Sequence, residues 1–291
     1  MPFALTGTGV WSAPLRYGDA GERIEAAAEL EALGYSALWV PDVGGDLFGD
    51  VSLLLDATTE TVVATGILNL WVHEPADAAA GYHRVVGAHG RRLLVGIGVS
   101  HAPFVNATGG TYERPLTRMR EYLDALDAAP EPLPADDRVL AALGPKMLEL
   151  ARTRAAGTHP YLVTPEHTAA ARAALGDGPL VASEQAVVLE TDPARAREIG
   201  RQHLAIYLGL PNYANNWKRI GFTDDDTAEG GSDRLVDALV AWGDEATIAA
   251  RVQEHREAGA DHVCLQVLTD DPFAFPRQQW RRLAPAVAGA A

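Results

Sequence analysis

His101 stands just past the apolar run Leu93–Val99, in the order Val99-Ser100-His101. A histidine just past a strand end, in a loop, can act as a general acid or base toward a ligand held there. Asp42 stands in a similar place, after Ser36–Val40 and Pro41, where its carboxylate can cap a turn or hydrogen-bond a ligand ring. Two prolines mark further positions. Gly144-Pro145-Lys146 is a turn opening a helix, and Val163-Thr164-Pro165-Glu166-His167-Thr168 has an N-cap residue before an N1 proline. The second of these helix starts is a ready phosphate site, because its free N–H groups and dipole favour an anion, and His167 and Lys146 can add positive charge. Gly66, inside the β-rich run Thr61–Leu70, marks a bulge or a close approach of the backbone to a ligand.

None of these residues makes a self-sufficient catalytic motif. His73-Glu74 is followed by Pro75, which breaks the helix that a zinc-protease HExxH needs. The chain has no G-x-S-x-G elbow and no Walker A loop. Its one cysteine, Cys264, lies in the apolar run His262–Val267 and reads as an inert core thiol; no structural metal is expected. Chemistry on such a scaffold is commonly carried by an organic cofactor.

The elements that must position these residues follow from periodicity. Eight apolar runs read as strands: Phe3–Val10, Ser36–Val40, Thr61–Leu70, Leu93–Val99, Arg138–Leu143, Thr158–Val163, Leu180–Glu190 and His262–Val267. Helical spacing falls between them, over Asp19–Leu33, from Pro75 to about His89, over Arg114–Ala129, Pro145–Ala156, Pro165–Leu175, Pro193–Leu208 and Glu245–Ala258, and at the end over Pro276–Val287. Asp50 is expected to cap a helix over Val51–Thr58, and Leu235–Trp242 also reads as helix. Continuous rather than alternating apolar strands indicate a parallel sheet covered on both faces, and eight β/α units at this length indicate an α/β (β/α)8 TIM barrel, residues 1–291 forming one domain. A doubly wound sheet is disfavoured, since Gly7, Gly9 and Ser12 give only a broken phosphate fingerprint. Residues 209–234, after the seventh strand, are too long for an ordinary connection and read as an insertion or lid with Tyr213, Trp217 and Phe222 available to cover a ring.

The 291 residues carry 24 Lys+Arg against 39 Asp+Glu, a formal net charge of -15. Such a surface argues against nucleic acid or an anionic membrane as partner, and requires local donors for any anionic ligand. No leader pattern and no apolar run of about 18–20 residues is present, which gives a cytoplasmic expectation.

Taken in order, the strand-end segments resemble the bacterial-luciferase-like barrel superfamily, in particular its branch using the deazaflavin coenzyme F420. The carrying segments are Trp39-Val40-Pro41-Asp42, Ala64-Thr65-Gly66-Ile67 with Asn69 and Pro75, Arg92 through His101, Ala141 through Met147, Tyr161 through Thr168, Leu210-Pro211-Asn212-Tyr213 and Gly259 through Val263. The resemblance implies a non-prolyl cis peptide at Gly66-Ile67 behind the ring. It implies cofactor contacts at Asp42, Gly66, Ile67, Val99 and Ser100, a tail beside Gly144, Pro145 and Lys146, and a phosphate at Val163, Thr164 and His167. It further implies hydride transfer at the deazaflavin carbon C5 to or from a small-molecule substrate, and a homodimer formed by helices around Val51–Leu55 and Ala76–Val86. Some relatives place a glutamate proton donor where this chain has His101. An FMN-dependent monooxygenase on the same barrel is the alternative, and a non-enzymatic flavin-binding barrel is a third reading.

Overall fold

In the computed structural model, which describes residues 5–288 apart from Val43 and Thr108, ten strands lie parallel. They are β1 (Gly7–Trp11), β2 (Ala37–Val40), β3 (Val62–Thr65), β4 (Leu68–Asn69), β5 (Leu93–Gly98), β6 (Arg138–Leu140), β7 (Gly157–Thr158), β8 (Leu180–Val188), β9 (Val240–Trp242) and β10 (His262–Val267). β1 pairs β2 on one side and β10 on the other, and β10 in turn pairs β8, so the sheet closes. β1, β2, β3, β5, β6, β7, β8 and β10 make an eight-stranded parallel barrel, the TIM-barrel architecture read from the sequence. β4 resumes the third strand beyond a break and pairs β5, while β9 adds to the far end of β8 through Ala186↔Val240 and Val188↔Trp242.

Every apolar run expected as a strand contributes one barrel strand, because a parallel strand covered on both faces must be apolar throughout. Most runs are longer than the strands they supply, His262–Val267 alone matching its strand end to end. Of Thr158–Val163 only Thr158 is strand, in β7 with Gly157 before it, and Thr61–Leu70 is split after Thr65. The start expected at Phe3 lies outside the described residues. Leu235–Trp242 is corrected: the helix is Asp233–Leu239, and Val240–Trp242 is strand, where the chain runs straight onto the edge of β8 with no Gly or Pro to mark the change. Asp50 is corrected as a cap. Asp46 caps the helix Leu47–Asp56, and Asp50 instead binds the guanidinium groups of Arg16 and Arg23. Pro75, Pro145, Pro165 and Pro193 all sit at helix starts, as their fixed φ and missing N–H favour.

The barrel interior is filled by Trp39, Ala64, Leu94, Val139, Ala182 and Cys264. Trp39 stacks on His159 with ring centroids 4.0 Å apart and donates its indole N–H to His262 Nε2 at 3.1 Å. Cys264 is fully buried, and burial pushes its thiol well above its ordinary range, so the thiolate needed for chemistry does not form. A second apolar layer lies between barrel and helices. Val51, Leu54 and Leu55 belong to it, packed within the chain. Residues 209–234 run between the seventh and eighth barrel strands and carry the helices Pro211–Arg219 and Asp224–Thr227. Tyr213, Trp217 and Phe222 are buried here in a cluster with Leu204, Leu235 and Leu239. Fully burying a side chain of this kind contributes roughly 1.5–3 kcal/mol, so the segment is packed structure rather than a loose flap. Among the described residues no helix is long and apolar enough to cross a membrane.

Candidate active site

The peptide bond Gly66-Ile67 is cis, as expected for the break between β3 and β4. The bulge is held from below and from both sides. Gly66 N–H donates to Val40 O at 2.8 Å, Thr65 Oγ1 donates to Gly96 O at 2.8 Å, and Trp11 Nε1 donates to Gly66 O at 3.0 Å. A Cβ on Gly66 would lie 2.6 Å from Trp11 Nε1 and 3.1 Å from His159 Nε2, so only glycine fits. Ile67 reaches across to Gly98, where an added Cβ would stand 2.5 Å from Ile67 Cδ1.

Asp42 is buried at the end of β2. Its Oδ2 accepts from Asn69 N at 3.0 Å and from His73 Nε2 at 2.8 Å, and Oδ1 accepts from Gly44 N at 3.3 Å. Burial opposes its charge, but the His73, Asn69 and Gly44 donors outweigh it and hold the carboxyl below its usual range. Asp42 thus ties the end of β2 to the residues just beyond the bulge. His73, which sequence reasoning set aside with the broken metal motif, is its partner. Its signal was its place four residues after Asn69 in the loop following the split strand.

Val99, Ser100 and His101 follow β5 at the same end of the barrel. Val99 O accepts from Trp71 Nε1 at 2.8 Å, and Ser100 adopts a left-handed φ of 54° that turns the chain into His101. His101 is half-buried. Its ring lies 5.4 Å from that of Tyr213 and 5.7 Å from that of Phe104, and Nδ1 meets Asn212 Oδ1 at 3.2 Å. That oxygen only accepts, so Nδ1 carries the hydrogen and Nε2 the lone pair. Burial lowers the His101 pKa, with the Asn212 bond acting the other way, so the ring is neutral at pH 7.

Two helix starts form the other half. Pro145–Arg154 begins at Gly144 and Pro165–Leu175 at Thr164, and neither receives a side-chain cap. The N–H groups of both first turns therefore lack a cap of the usual kind. His167, directly inside the second start, is buried against Asn216 and the Ala142 carbonyl. Burial first, then the nearby Arg219 charge, bring its pKa down to about 4, so it supplies no positive charge there. His167 Nε2 and Asn216 Nδ2 are both buried with no well-aligned hydrogen-bond partner. The Glu166 carboxylate lies in the same first turn and is held below its usual range by the Thr164 hydroxyl and by its own backbone N–H, so one donor of that turn is already engaged. Positive charge comes from exposed Lys146 and from a residue that sequence reasoning missed, Arg219, whose guanidinium stands 3.7 Å from where a Gly144 Cβ would be. Neither cation has a carboxylate within ion-pair distance among the described residues. The signal for Arg219 was the pair Lys218-Arg219 in an otherwise acidic insertion.

One helix joins the halves. Pro211–Arg219 places Asn212 and Tyr213 against His101, and one turn later places Asn216, Trp217 and Arg219 against the helix starts. Trp217 Nε1 donates to Leu162 O at 3.1 Å, while Leu162 N donates to Glu184 Oε2 at 2.9 Å, fixing Leu162 at a φ of 52° immediately before Val163 and Thr164. Glu184, also missed, is fully buried on β8, and burial raises its carboxyl to about 8 despite the Leu162 bond. Among the described residues no three His, Cys, Asp or Glu side chains are placed to hold a metal ion.

Residues 3–262 match the sequence model of the luciferase-like monooxygenase family. The chain belongs to this family. A curated relative, 5,10-methylenetetrahydromethanopterin reductase of Methanolobus tindarius, is 24% identical over 280 residues, 80% of this chain and 86% of its own length. The fold is shared with an F420-dependent secondary alcohol dehydrogenase solved with an F420–acetone adduct (TM-score 0.74, 16% identity, 97% of this chain and 99% of the other). It is also shared with the FMN-bound oxygenating constituent of 3,6-diketocamphane monooxygenase from the CAM plasmid of Pseudomonas putida (TM-score 0.65, 15% identity, 99% and 98%).

Proposed function

We propose that this oxidoreductase binds coenzyme F420 and exchanges hydride with a small organic substrate. The observation that carries the reading is the continuity of the site: the strand break at Gly66, His101 at the end of β5, two helix starts without an N-cap side chain beside Lys146 and Arg219, and one helix, Pro211–Arg219, that touches both His101 and the helix starts. The residues fit the group. Glycine at position 66 lets Trp11 and His159 pack against the bulge, and the backbone there, with Ile67, Val99 and Ser100, would form the wall for a flat ring. Gly144, Pro145, Lys146, Val163 and Thr164 would surround the place where a phosphate meets backbone N–H groups, with the buried His167 and Asn216 side chains packed beside the second helix start. The bound coenzyme supplies two-electron hydride chemistry at its ring.

His101 handles the proton. Its neutral Nε2 takes a proton from a hydroxyl being oxidised, and the protonated ring returns one to an oxygen being reduced. Asp42 acts through the bulge: its carboxylate is engaged by three protein donors, so it fixes the backbone that the ring would contact. Trp11 closes the site on the β1 side. FMN also carries a phosphate and a flat ring, and the FMN-bound fold relative makes it the second reading. A homodimer belongs to the family resemblance, and light scattering tests it, twice the chain mass supporting it and the chain mass removing it.

Titration of the pure protein with oxidised F420 and with FMN, read by fluorescence, tests the cofactor. The expected result is tighter binding of F420, weakened about tenfold or more in Arg219→Ala as one charge-assisted contact is lost. A yellow protein that retains FMN, or equal affinity in Arg219→Ala, would contradict it.

A further inference from the structure

A cleft of about 130 Å³ opens over the ends of β1 and β10, next to the bulge. Its walls are mostly apolar, with Trp11, Ile199, Leu268 and Trp280 among them, Ser12, Gln202, Gln266 and Thr269 add polar groups, and Asp271 is the one acidic lining residue, with no Lys or Arg beside it in the lining. His203 also faces it, and burial holds that ring neutral, with a pKa of about 4. Trp11 is shared between the cleft and the bulge, since its indole N–H binds Gly66 O. A molecule in the cleft therefore lies beside the ring site.

Among the uncharged polar residues of the lining, Gln266 is the one whose side chain is oriented by a tyrosine hydroxyl. Tyr161 donates to Gln266 Oε1 at 2.7 Å, and the Tyr161 hydroxyl is itself held by His203 Nε2 at 3.3 Å and Tyr207 at 3.2 Å. With its oxygen committed, Gln266 is left presenting the amide N–H2, which has no protein partner among the described residues. A donor pair in a mostly apolar cleft without a cation recognises an uncharged oxygen acceptor. A carboxylate or phosphate would meet Asp271 and no cation. The volume suits a six-membered ring, as a cavity of roughly 150 Å³ admits benzene.

We infer that this cleft takes an uncharged substrate with an apolar body and one carbonyl or hydroxyl oxygen, received by the Gln266 amide, with Tyr161 as the positioning residue. The inference deepens the reading above by naming the substrate class, but its binding test does not need the coenzyme. Cyclohexanone, cyclohexanol and cyclohexanecarboxylate are titrated against the protein by saturation-transfer NMR. Both neutral compounds are expected to bind, and the carboxylate about tenfold more weakly or not at all. Gln266→Leu should weaken cyclohexanone about fivefold or more, and the isosteric Gln266→Glu, which turns donors into acceptors, should do the same at unchanged thermal midpoint. Tyr161→Phe should raise KM for a neutral substrate more than it lowers kcat. Carboxylate binding equal to that of the ketone, ketone binding within twofold in both Gln266 variants, or no neutral binding up to solubility would overturn the assignment. Cyclohexanone binding of this pattern in a protein that does not take F420 would keep the cleft and remove the coenzyme reading.

Discussion

Glu184 is the residue whose environment departs furthest from its chemistry. A carboxyl raised to about 8 holds a proton in the fold that the unfolded chain, at about 4.3, has released. Its contribution thus favours folding at low pH and is lost as pH rises through about 8. Glu184→Gln keeps the shape and removes the titration. The variant's thermal midpoint should gain on that of the parent between about pH 5 and about pH 8.5, and a constant gap would show that the carboxyl ionises normally. His101 makes a different prediction. With its burial-lowered pKa it is a proton acceptor at rest, and His101→Ala should reduce turnover on a carbonyl or alcohol substrate about 10²–10⁴-fold while F420 binding persists. Unchanged turnover would remove it from the mechanism. The sequence placed His101, Asp42 and Gly66 by their positions at strand ends, because those positions follow from local pattern. It did not show that Asp42 is spent on the protein's own donors, nor that His167 is neutral. Both depend on neighbours brought in from other segments, His73 and Asn69 for the one, Asn216 and Arg219 for the other.

At the scale of elements, the segment 209–234 changes most between sequence and structure. Its aromatic residues suggested a cover for a ring, but Trp217 and Phe222 are consumed in an apolar cluster, and the polar face of the same helix does the work of joining His101 to the two helix starts. Trp217→Phe leaves Leu162 O buried without its donor. It should cost about 1–3 kcal/mol, read as a lowered denaturation midpoint, and should loosen the turn before Thr164. Unaltered stability would mean that the indole N–H is dispensable. Helix starts were legible because proline marks them, as at Pro75 and Pro165. The strand at Val240–Trp242 was not, since an apolar run without punctuation fits either period, and here pairing with β8 decided it.

The whole molecule carries its buried histidines as an acid-sensitive set. Burial holds His159, His167 and His203 at about 4, and His255 and His262 at about 3, against about 6.5 unfolded. Depressed values of this kind stabilise the fold above the unfolded pKa, and that stability is lost as pH falls toward 4 and below. Glu184 opposes them with a single proton over part of the range. The thermal midpoint should therefore drop steeply from about pH 6.5 to about pH 4, with net proton uptake on unfolding, and a flat profile would show that these rings are hydrated. The net charge of -15 bears on the same scale. It made an anionic coenzyme look unfavourable from composition alone, and the fold answers by collecting Lys146, Arg219 and two helix starts at one place, which no count of charges reveals.

The central claim is that ring and phosphate are held at two ends of one continuous site. A crystal structure of the protein with oxidised F420 measures this directly. The account predicts the deazaflavin ring against Gly66-Ile67 and its phosphate between the starts of Pro145–Arg154 and Pro165–Leu175, within hydrogen-bond distance of Arg219. A phosphate bound elsewhere, or a ring away from the bulge, would contradict it.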